Sequence, residues 1–503
     1  MEKKFLWTVV LATVLFAPIW ATGRSQAAPS GMPVVTFLLG TANMPNANAS
    51  IVPEIRARTG IDFQVTFVPE IDYGTRLNAL IAAGNLPDIV KAGATMQLEL
   101  VEHNALLQLD TLLRQYGQHI LADRPNGFNY GLNGNGKIWG IPDATDFPFS
   151  TAIRRDWTRN VGAPVPQGNI VNMKISDFVN LMRAFTNNDP DRNGVADTFG
   201  WCFQLGGGGT GMANPIFWAF DVPAQGWWLE NGNIRTWLKH PNFLKGMEVL
   251  RTMYQEGLME REFITIPETI QSFQKLFNGT AGAATWNVAG MTNNWIGRYV
   301  DGLQADDFYY AVLTDDDGTG GGFYVAPSSN YVSISANSRN PEAAMRLLDF
   351  FHTFEGESLI YLGIEGKHYE WTDRANYKFR YLEPYASNIT LQRADGAYSI
   401  WQYIRPSNNI ELLTLTPITI EIVKYGLDHL SRTGVFYYGN PAISRDLGGT
   451  LTDIMREIFA NLILSQGDMT AQYRSLIARW DAAGGRTLEE QATVIYKAEN
   501  NIR

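Results

Sequence analysis

Residues 34–90 read VVTFLLGTANMPNANASIVPEIRARTGIDFQVTFVPEIDYGTRLNALIAAGNLPDIV, and in this stretch strand patterns alternate with helical ones. The predicted elements in order are strand 34–39, helix 49–58, strand 62–68, helix 72–83 and strand 87–90. Ile51 and Ile55 repeat at helical spacing, and Gly60 follows as a helix C-cap. The β-α-β-α-β order predicts an α/β fold, with a mainly parallel sheet covered by helices on both faces.

The loops that follow these strands are the first place to expect a ligand. In open α/β sheets, ligands bind beyond the carboxyl ends of the strands, at topological switch points. Asn43, Tyr73 and Lys91 follow the first, second and third predicted strands. Amide, hydroxyl and ammonium groups are all hydrogen-bonding partners for polar ligands, so these three residues are candidate ligand contacts.

Composition narrows the class of protein. The chain has 503 residues, 40 Lys and Arg against 50 Asp and Glu, and a single Cys. A net charge of −10 argues against nucleic-acid binding, which requires clustered positive charge. One Cys excludes a disulfide scaffold and a multi-Cys metal site. The chain is long enough for at least two lobes, and the presence of 14 Trp, 21 Tyr and 26 Phe in an acidic chain needs an explanation.

The N-terminus has the pattern of an export signal. Lys3 and Lys4 precede the uncharged stretch 5–20, and small residues follow at Ala21 and Ala28. This pattern predicts a secretory signal peptide over residues 1–28, cleaved after Ala21 or Ala28. We therefore expect an exported protein, periplasmic or extracellular, that does not itself span a membrane. No lipid-anchoring Cys follows the apolar run.

A short acidic loop has the spacing of a calcium site. Residues 189–197 fit D-x-D-x-N-G-x-x-D, with candidate ligands Asp189, Asp191, Asn193, the backbone carbonyl of Val195, and Asp197. Oxygen atoms at these spacings surround Ca²⁺ in EF-hand loops, although Gly200 stands where such a loop has its Glu. The sequence predicts a structural Ca²⁺ here, with an Asx-rich turn as the alternative.

Several segments in a fixed order resemble a known family. They are TGIDFQVTFVP, LIAAGNLPDIV, GKIWGIP, IRRDW, DPDRNGVADTFGW and NPEAAMRLLDFFHTFEGESLIYLGIEGKHYEW. The chain resembles the family 1 extracellular solute-binding proteins of carbohydrate ABC importers, and within them the large branch that includes alginate-oligosaccharide binders. The resemblance covers nearly all of the chain after the signal.

The resemblance implies a two-lobe periplasmic-binding-protein fold that closes on a sugar. Lobe 1 is expected over 32–146 and 314–366, and lobe 2 over 147–313 and 367–503. It also implies a monomer that delivers its ligand to the membrane permease subunits. The further candidate ligand contacts are Asp146, Trp286, Asn287, Glu365, His368 and Trp371. Flat aromatic faces for stacking on sugar would account for the aromatic surplus.

Two other classes of function stay open. An exported glycosidase or lyase needs two facing carboxylates, and 50 acidic residues allow such a pair to occur. No local motif marks one, and the chain has neither a G-x-S-x-G nor an H-E-x-x-H signature. The same fold could also serve as a binding module that is coupled to a chemoreceptor, or as an adhesive module.

Overall fold

The computed structural model describes most of the chain after residue 30. It covers residues 31–500 and 502, with the exception of 42–43, 70–71, 124–136, 144–148, 206–208, 267–268, 288–302, 304, 324–329, 401–409, 411–412, 414, 431–432, 436 and 438–440. The predicted signal peptide and the candidate residues Asn43 and Asp146 therefore lie outside the described residues.

Strands and helices alternate through the first two thirds of the chain. The strands are β1 Val34–Thr41, β2 Asp62–Pro69, β3 Ile89–Gly93, β4 Ile141–Pro142, β5 Phe149–Arg154, β6 Ile170–Lys174, β7 Phe199–Cys202, β8 Trp227–Glu230, β9 Asn233–Thr236, β10 Ala281–Asn287, β11 Phe308–Thr314, β12 Asn330–Ile334, β13 Tyr369–Asp373 and β14 Lys378–Tyr381. The order of elements confirms the predicted α/β class.

Helices occur throughout the described chain and dominate its C-terminal part. They are α1 Ile51–Thr59, α2 Tyr73–Ala82, α3 Ala94–Glu102, α4 Asp110–Tyr116, α5 Gln118–Asp123, α6 Arg155–Asn160, α7 Ile175–Asn187, α8 Asn214–Trp218, α9 Phe243–Gln255, α10 Thr269–Phe277, α11 Pro341–Phe351, α12 Phe354–Tyr361, α13 Ile389–Ala394, α14 Pro417–Asp428, α15 Ile443–Leu464, α16 Met469–Trp480 and α17 Arg486–Glu499. Among the described residues, none of these helices is long and apolar enough to cross a bilayer.

The larger strands form two five-stranded sheets. The first sheet has the order β2-β1-β3-β12-β4, and the second has the order β6-β11-β5-β10-β7. Both sheets are mixed, whereas the sequence predicted mainly parallel ones: β12 runs antiparallel to β3 and β4, and β5 runs antiparallel to β10 and β11. The reason is that β5 and β12 are the strands by which the chain enters a sheet from the other sheet.

Each sheet is buried in its own apolar core. On β1, Val35, Phe37 and Leu39 lie in one cluster and Leu38 in another, so the first sheet is covered on both faces. A third cluster surrounds the second sheet and includes Trp201 and Tyr310. Most of the aromatic surplus packs in these cores, because burying such rings removes large apolar areas from water.

Local sequence signals account for several element boundaries. Gly60 ends α1 with φ 67°, and its N–H donates to the carbonyl of Arg56, as the C-cap prediction requires. Pro341 stands in the first turn of α11. The Asn340 side chain does not cap this helix but donates to the carbonyl of Val34, 2.9 Å away, which fastens the start of α11 to β1.

The packing after residue 366 differs from the predicted division into lobes. The sequence assigned 367–503 to lobe 2, whereas Tyr369, Ala397 and Ile410 belong to the core of the first sheet. Leu415 and the helices from α14 onward pack in the core of the second sheet. The β13–β14 hairpin and α13 carry the apolar side chains that the first core needs. The lobe division remains a prediction.

Candidate functional site

The topology brings one edge of each sheet together. Strands β1 to β4 end, and β12 begins, at the same edge of the first sheet. Strands β6, β7, β10 and β11 end, and β5 begins, at one edge of the second. The chain passes between these two edges after β4 and again after β11. Since the stretch from Asp143 to Phe149 reaches at most about 20 Å when extended, the two edges lie close together.

A buried ion pair occupies the edge of the first sheet. The Lys91 Nζ atom lies 2.6 Å from Asp143 Oδ2, and the two side chains are 9% and 3% exposed. The Tyr73 hydroxyl donates to the carbonyl of Lys91 at 2.7 Å. The structure thus brings together two of the predicted contacts, Tyr73 and Lys91. It adds Asp143, which sequence reasoning missed although it directly follows the WGIP segment.

An aromatic cluster occupies the edge of the second sheet. Trp286 and Asn287 are the last two residues of β10, and both are half-buried. The ring of Trp286 meets Phe149, at the start of β5, edge to face at 5.2 Å, and Phe273 of α10 at 6.3 Å. Phe149 was not a sequence candidate, since nothing local marks it. The neighbouring rings fix the orientation of Trp286 and leave part of its surface open at the edge.

Glu365 and Trp371 lie away from this pair of edges. Both line a cavity of about 320 Å³ together with Arg58, which belongs to the last turn of α1. That turn leads into the start of β2, at the opposite edge of the first sheet. The Trp371 ring stacks on Phe354 at 5.5 Å, and Glu365 is exposed 3.8 Å from Arg374. The structure does not bring these two candidates to Trp286.

His368 is enclosed by protein. Its side chain is fully buried, Nδ1 accepts the N–H of Ile364 at 2.8 Å, and Nε2 lies 2.8 Å from Asp395 Oδ2. Burial lowers the pKa of His368 in spite of the neighbouring Asp395. Asp395 also accepts from the backbone N–H and hydroxyl of Ser50. The imidazole therefore connects two distant chain segments and presents no nitrogen to a ligand.

The predicted calcium loop is folded on itself by side-chain to backbone hydrogen bonds. Asp189 accepts the N–H groups of Asn193 and Gly194, and the amide of Asn193 donates to Asp191 at 2.8 Å and to Asp197 at 3.3 Å. Loss of hydration and the carboxylates of Asp189 and Asp197 raise the pKa of Asp191. In the described part of the chain, no three His, Cys, Asp or Glu side chains are grouped closely enough to hold a metal ion.

Comparison with known proteins identifies the family. The sequence model of one family, the bacterial extracellular solute-binding proteins, matches residues 41–353, more than half of the chain. The chain belongs to this family. The match spans both sheets, the edges that they bring together and both connections between them, so the resemblance inferred from the ordered segments is confirmed.

Curated relatives cover most of the chain at low identity. The chain is 24% identical over 494 residues to the polygalacturonan/rhamnogalacturonan-binding protein YtcQ of Bacillus subtilis, which covers 89% of this chain and 88% of that protein. It is 24% identical over 392 residues to the lipoprotein LipO of the same organism, which covers 74% of each chain. The first of these relatives is named as a binding protein and the second as a lipoprotein.

Solved structures share the fold. A solute-binding protein of Bifidobacterium longum infantis that binds HMO has a TM-score of 0.70 at 15% identity, over 93% of this chain and 99% of that one. The alginate-binding protein AlgQ2, solved without calcium ion, has a TM-score of 0.67 at 16% identity, over 93% and 97%. The FusA substrate-binding protein of Streptococcus pneumoniae, solved as an EF-hand mutant, has the same score at 15% identity, over 93% and 100%. These likenesses confirm the two-lobe binding-protein fold.

Proposed function

We propose that this chain is the extracytoplasmic substrate-binding component of an ABC importer and that it captures an oligosaccharide between the two sheet edges. The observation that carries the proposal is the pairing of those edges, which places the half-buried Trp286 and Asn287 opposite the edge that holds Tyr73 and Lys91. Membership of the solute-binding family and relatives named for binding sugar polymers and fructooligosaccharides support it.

The proposed contacts follow the chemistry of a sugar. A pyranose presents apolar C–H faces, which stack on a flat ring such as Trp286, and a rim of hydroxyls, which pair with Asn287. We propose that the other edge contributes Tyr73 and Asn43 as ligand contacts. The first connection, after β4, would contribute Asp146. Lys91 is proposed as a residue that holds Asp143 in place, because its ammonium group is already paired. Glu365, His368 and Trp371 are left out of the proposed site.

Ligand capture is proposed to occur by closure of the two lobes. Hinge movement around a ligand is the standard transition of periplasmic binding proteins, and the two connections between the edges are the segments that it would bend. We further propose that the chain is exported, acts as a monomer, passes its ligand to membrane permease subunits and catalyses no reaction. The family description, bacterial extracellular solute-binding protein, supports export, and the relatives' names, which describe binding and an ABC transporter, support delivery to a permease without catalysis.

We also propose that residues 189–197 hold a structural Ca²⁺. The donors are the oxygens that this cation prefers, and a solved relative carries an EF-hand. Asp189, Asp191 and Asp197 would supply carboxylates. Asn193 would turn its amide oxygen toward the ion, and Val195 would supply its carbonyl. The charge of the ion would offset the repulsion among the carboxylates of Asp189, Asp191 and Asp197.

Paired tryptophan variants test the proposed site. The wild type and the Trp286→Ala and Trp371→Ala variants are titrated with neutral and acidic oligosaccharides in a calorimeter, after a thermal-shift screen. We expect Trp286→Ala to weaken binding by about tenfold or more, since losing a large buried apolar face costs about 1.5–3 kcal/mol. Trp371→Ala is the matched control and should bind as the wild type does.

The same titrations contain the outcomes that would overturn the proposal. Equal affinity of the wild type and Trp286→Ala would remove the aromatic cluster from the site. A loss confined to Trp371→Ala would move the site to the cavity beside α12. Release of shortened sugars during the titration would favour a carbohydrate-active enzyme.

A further inference from the structure

A second cavity lies at the same edge of the second sheet as Trp286. It has a volume of about 740 Å³ and lies beside the last residues of β6 and β11, Lys174 and Thr314. Strand β5 separates β11 from β10 in the sheet, which puts the cavity about 10 Å from the end of β10 along this edge. The cavity is therefore within reach of a ligand that extends sideways from Trp286.

The start of the second connection between the lobes, directly after β11, forms one wall of this cavity. Gly318 to Gly322 line it. At Gly320 φ is 76°, and a Cβ atom would lie 2.1 Å from the carbonyl of Ala219, so no side chain fits there. The N–H of Gly321 donates to Trp218, and that of Phe323 to His429. These bonds fasten the start of the second connection to α8 and to the end of α14.

The lining offers hydrogen-bond donors, acceptors and a flat face. With the residues that the structure describes, neither Lys174 nor Lys245 makes an ion pair or a side-chain hydrogen bond, although the charge of Lys174 acts on the nearby Asp316. Asp428 is exposed beside them. The rings of Tyr425 and His429 are parallel, 3.9 Å apart, and the Tyr425 hydroxyl donates to Asn172.

The charges of the lining indicate the class of ligand. Two ammonium groups, from Lys174 and Lys245, stand against the three carboxylates of Asp221, Asp315 and Asp428. The excess of carboxylates disfavours a strongly anionic ligand, because like charges repel. Apolar ligands would leave the charged groups unpaired. A compound with many hydroxyls satisfies both signs, because each hydroxyl is donor and acceptor.

We propose that this cavity binds an uncharged sugar unit, through Lys174, Lys245 and Asp428 and the ring face of Tyr425 or His429. The unit is either the far end of the oligosaccharide held at Trp286 or a separate small sugar. The inference rests on the proposed function and extends it from one stacking position to a groove along the sheet edge. Such a groove would bind long, neutral oligosaccharides in preference to short or charged ones.

A fluorescent reporter in the cavity tests the inference. Leu430 lines the cavity and is 51% exposed, whereas Cys202 is fully buried, so a dye on Leu430→Cys labels this site alone. Leu464→Cys, 43% exposed on α15, is the matched control. Each labelled protein is titrated with glucose, galactose, mannose and fructose and with their oligomers of increasing length, and melting temperature is measured in parallel.

The expected result is a response of the Leu430→Cys dye, and not of the Leu464→Cys dye, that appears above a certain oligomer length. A response to free monosaccharides would support the same site with a separate small sugar. Calorimetry on unlabelled protein should show binding of long oligomers weakened about tenfold in Lys174→Ala/Lys245→Ala and unchanged in Lys424→Ala, because hydrogen bonds from charged groups are lost.

Two outcomes would overturn the inference, and they differ in what else they affect. If sugars raise the melting temperature but the Leu430→Cys dye is silent at every length, the cavity is not a subsite and the proposed function stands. The same holds if the double lysine variant binds long oligomers normally. If no sugar raises the melting temperature or changes the dye signal, both the cavity site and the proposed oligosaccharide ligand are wrong.

Discussion

At the scale of single residues, burial and pairing separate groups that meet a ligand from groups that hold the fold. Sequence position alone suggested Lys91 as a ligand contact, because it follows a strand of a parallel sheet. The structure pairs it with Asp143, far away in sequence, in a site from which water is almost excluded. Charge pairs of this kind contribute little to stability when intact, but removing one partner leaves a costly buried charge.

Lys91 and Asp143 allow a direct test of this assignment. We expect Lys91→Met to lower the free energy of unfolding by about 3 kcal/mol or more, because it leaves Asp143 buried without its counter-charge. The double variant Lys91→Met/Asp143→Leu should recover most of the loss. Urea denaturation at neutral pH measures both. A Lys91→Met protein of normal stability that has lost only its sugar affinity would make Lys91 a ligand contact after all.

His240 gives the protein a specific dependence on pH. Burial lowers its pKa to about 4, and its Nδ1 accepts the N–H of Asn242 at 3.3 Å. In the unfolded chain the imidazole takes up a proton near pH 6.5. Between about pH 4 and 6.5 the unfolded state therefore binds more protons than the folded state. The stability that the neutral ring contributes is complete above about pH 6.5 and is lost as pH falls through about 4.

We expect His240→Gln to reduce the loss of stability between about pH 6.5 and 4, since glutamine does not titrate. Urea midpoints at several pH values in this range measure the effect. The exposed His103, changed to Gln, is the matched control and should leave the pH profile as it is in the wild type. Identical profiles for His240→Gln and the wild type would show that this ring is already hydrated in the folded protein.

At the scale of elements, local sequence patterns predicted those strands and helices that depend only on neighbouring residues. The strands and helices of residues 34–90 were predicted within a few residues, because their apolar periodicity and the αL glycine at 60 are properties of adjacent residues. The β13–β14 hairpin was missed, and its place in the first core depends on the burial of Tyr369 in that core and on the contact of Trp371 with Phe354 of α12. Sequence spacing carries no information about such partners.

The 189–197 loop provides a prediction at this scale. We expect Ca²⁺ well above its dissociation constant to stabilise the protein by about 1–3 kcal/mol relative to chelator, seen as a higher melting temperature. Mg²⁺ should have a smaller effect, because it keeps its water shell and needs a tighter geometry. Asp189→Asn should abolish the response, and Asp317→Asn, in a different acidic loop, should keep it. An equal response of both variants, or none in the wild type, would leave only an Asx-rich turn.

At the scale of the whole molecule, the two sheets and the connections between their edges determine where a ligand can be held. The class of fold and the two-lobe plan were predictable from the alternating elements and the ordered family segments. The composition of the candidate site was predictable only in part. Trp286 and Tyr73 lie at the paired edges, but Phe149 and Asp143 depend on which strands become neighbours, and His368 and Trp371 were drawn into packing by Asp395 and Phe354.

The measurement that tests the central claim most directly is small-angle X-ray scattering of the full chain during a calorimetric titration with the oligosaccharide that gives the largest thermal shift. If the edges close on the sugar, the radius of gyration should decrease in proportion to occupancy and stop changing when the sites are full. Trp286→Ala should need more sugar to reach the same radius. Saturation of the binding heat without any change in radius would contradict closure around the ligand.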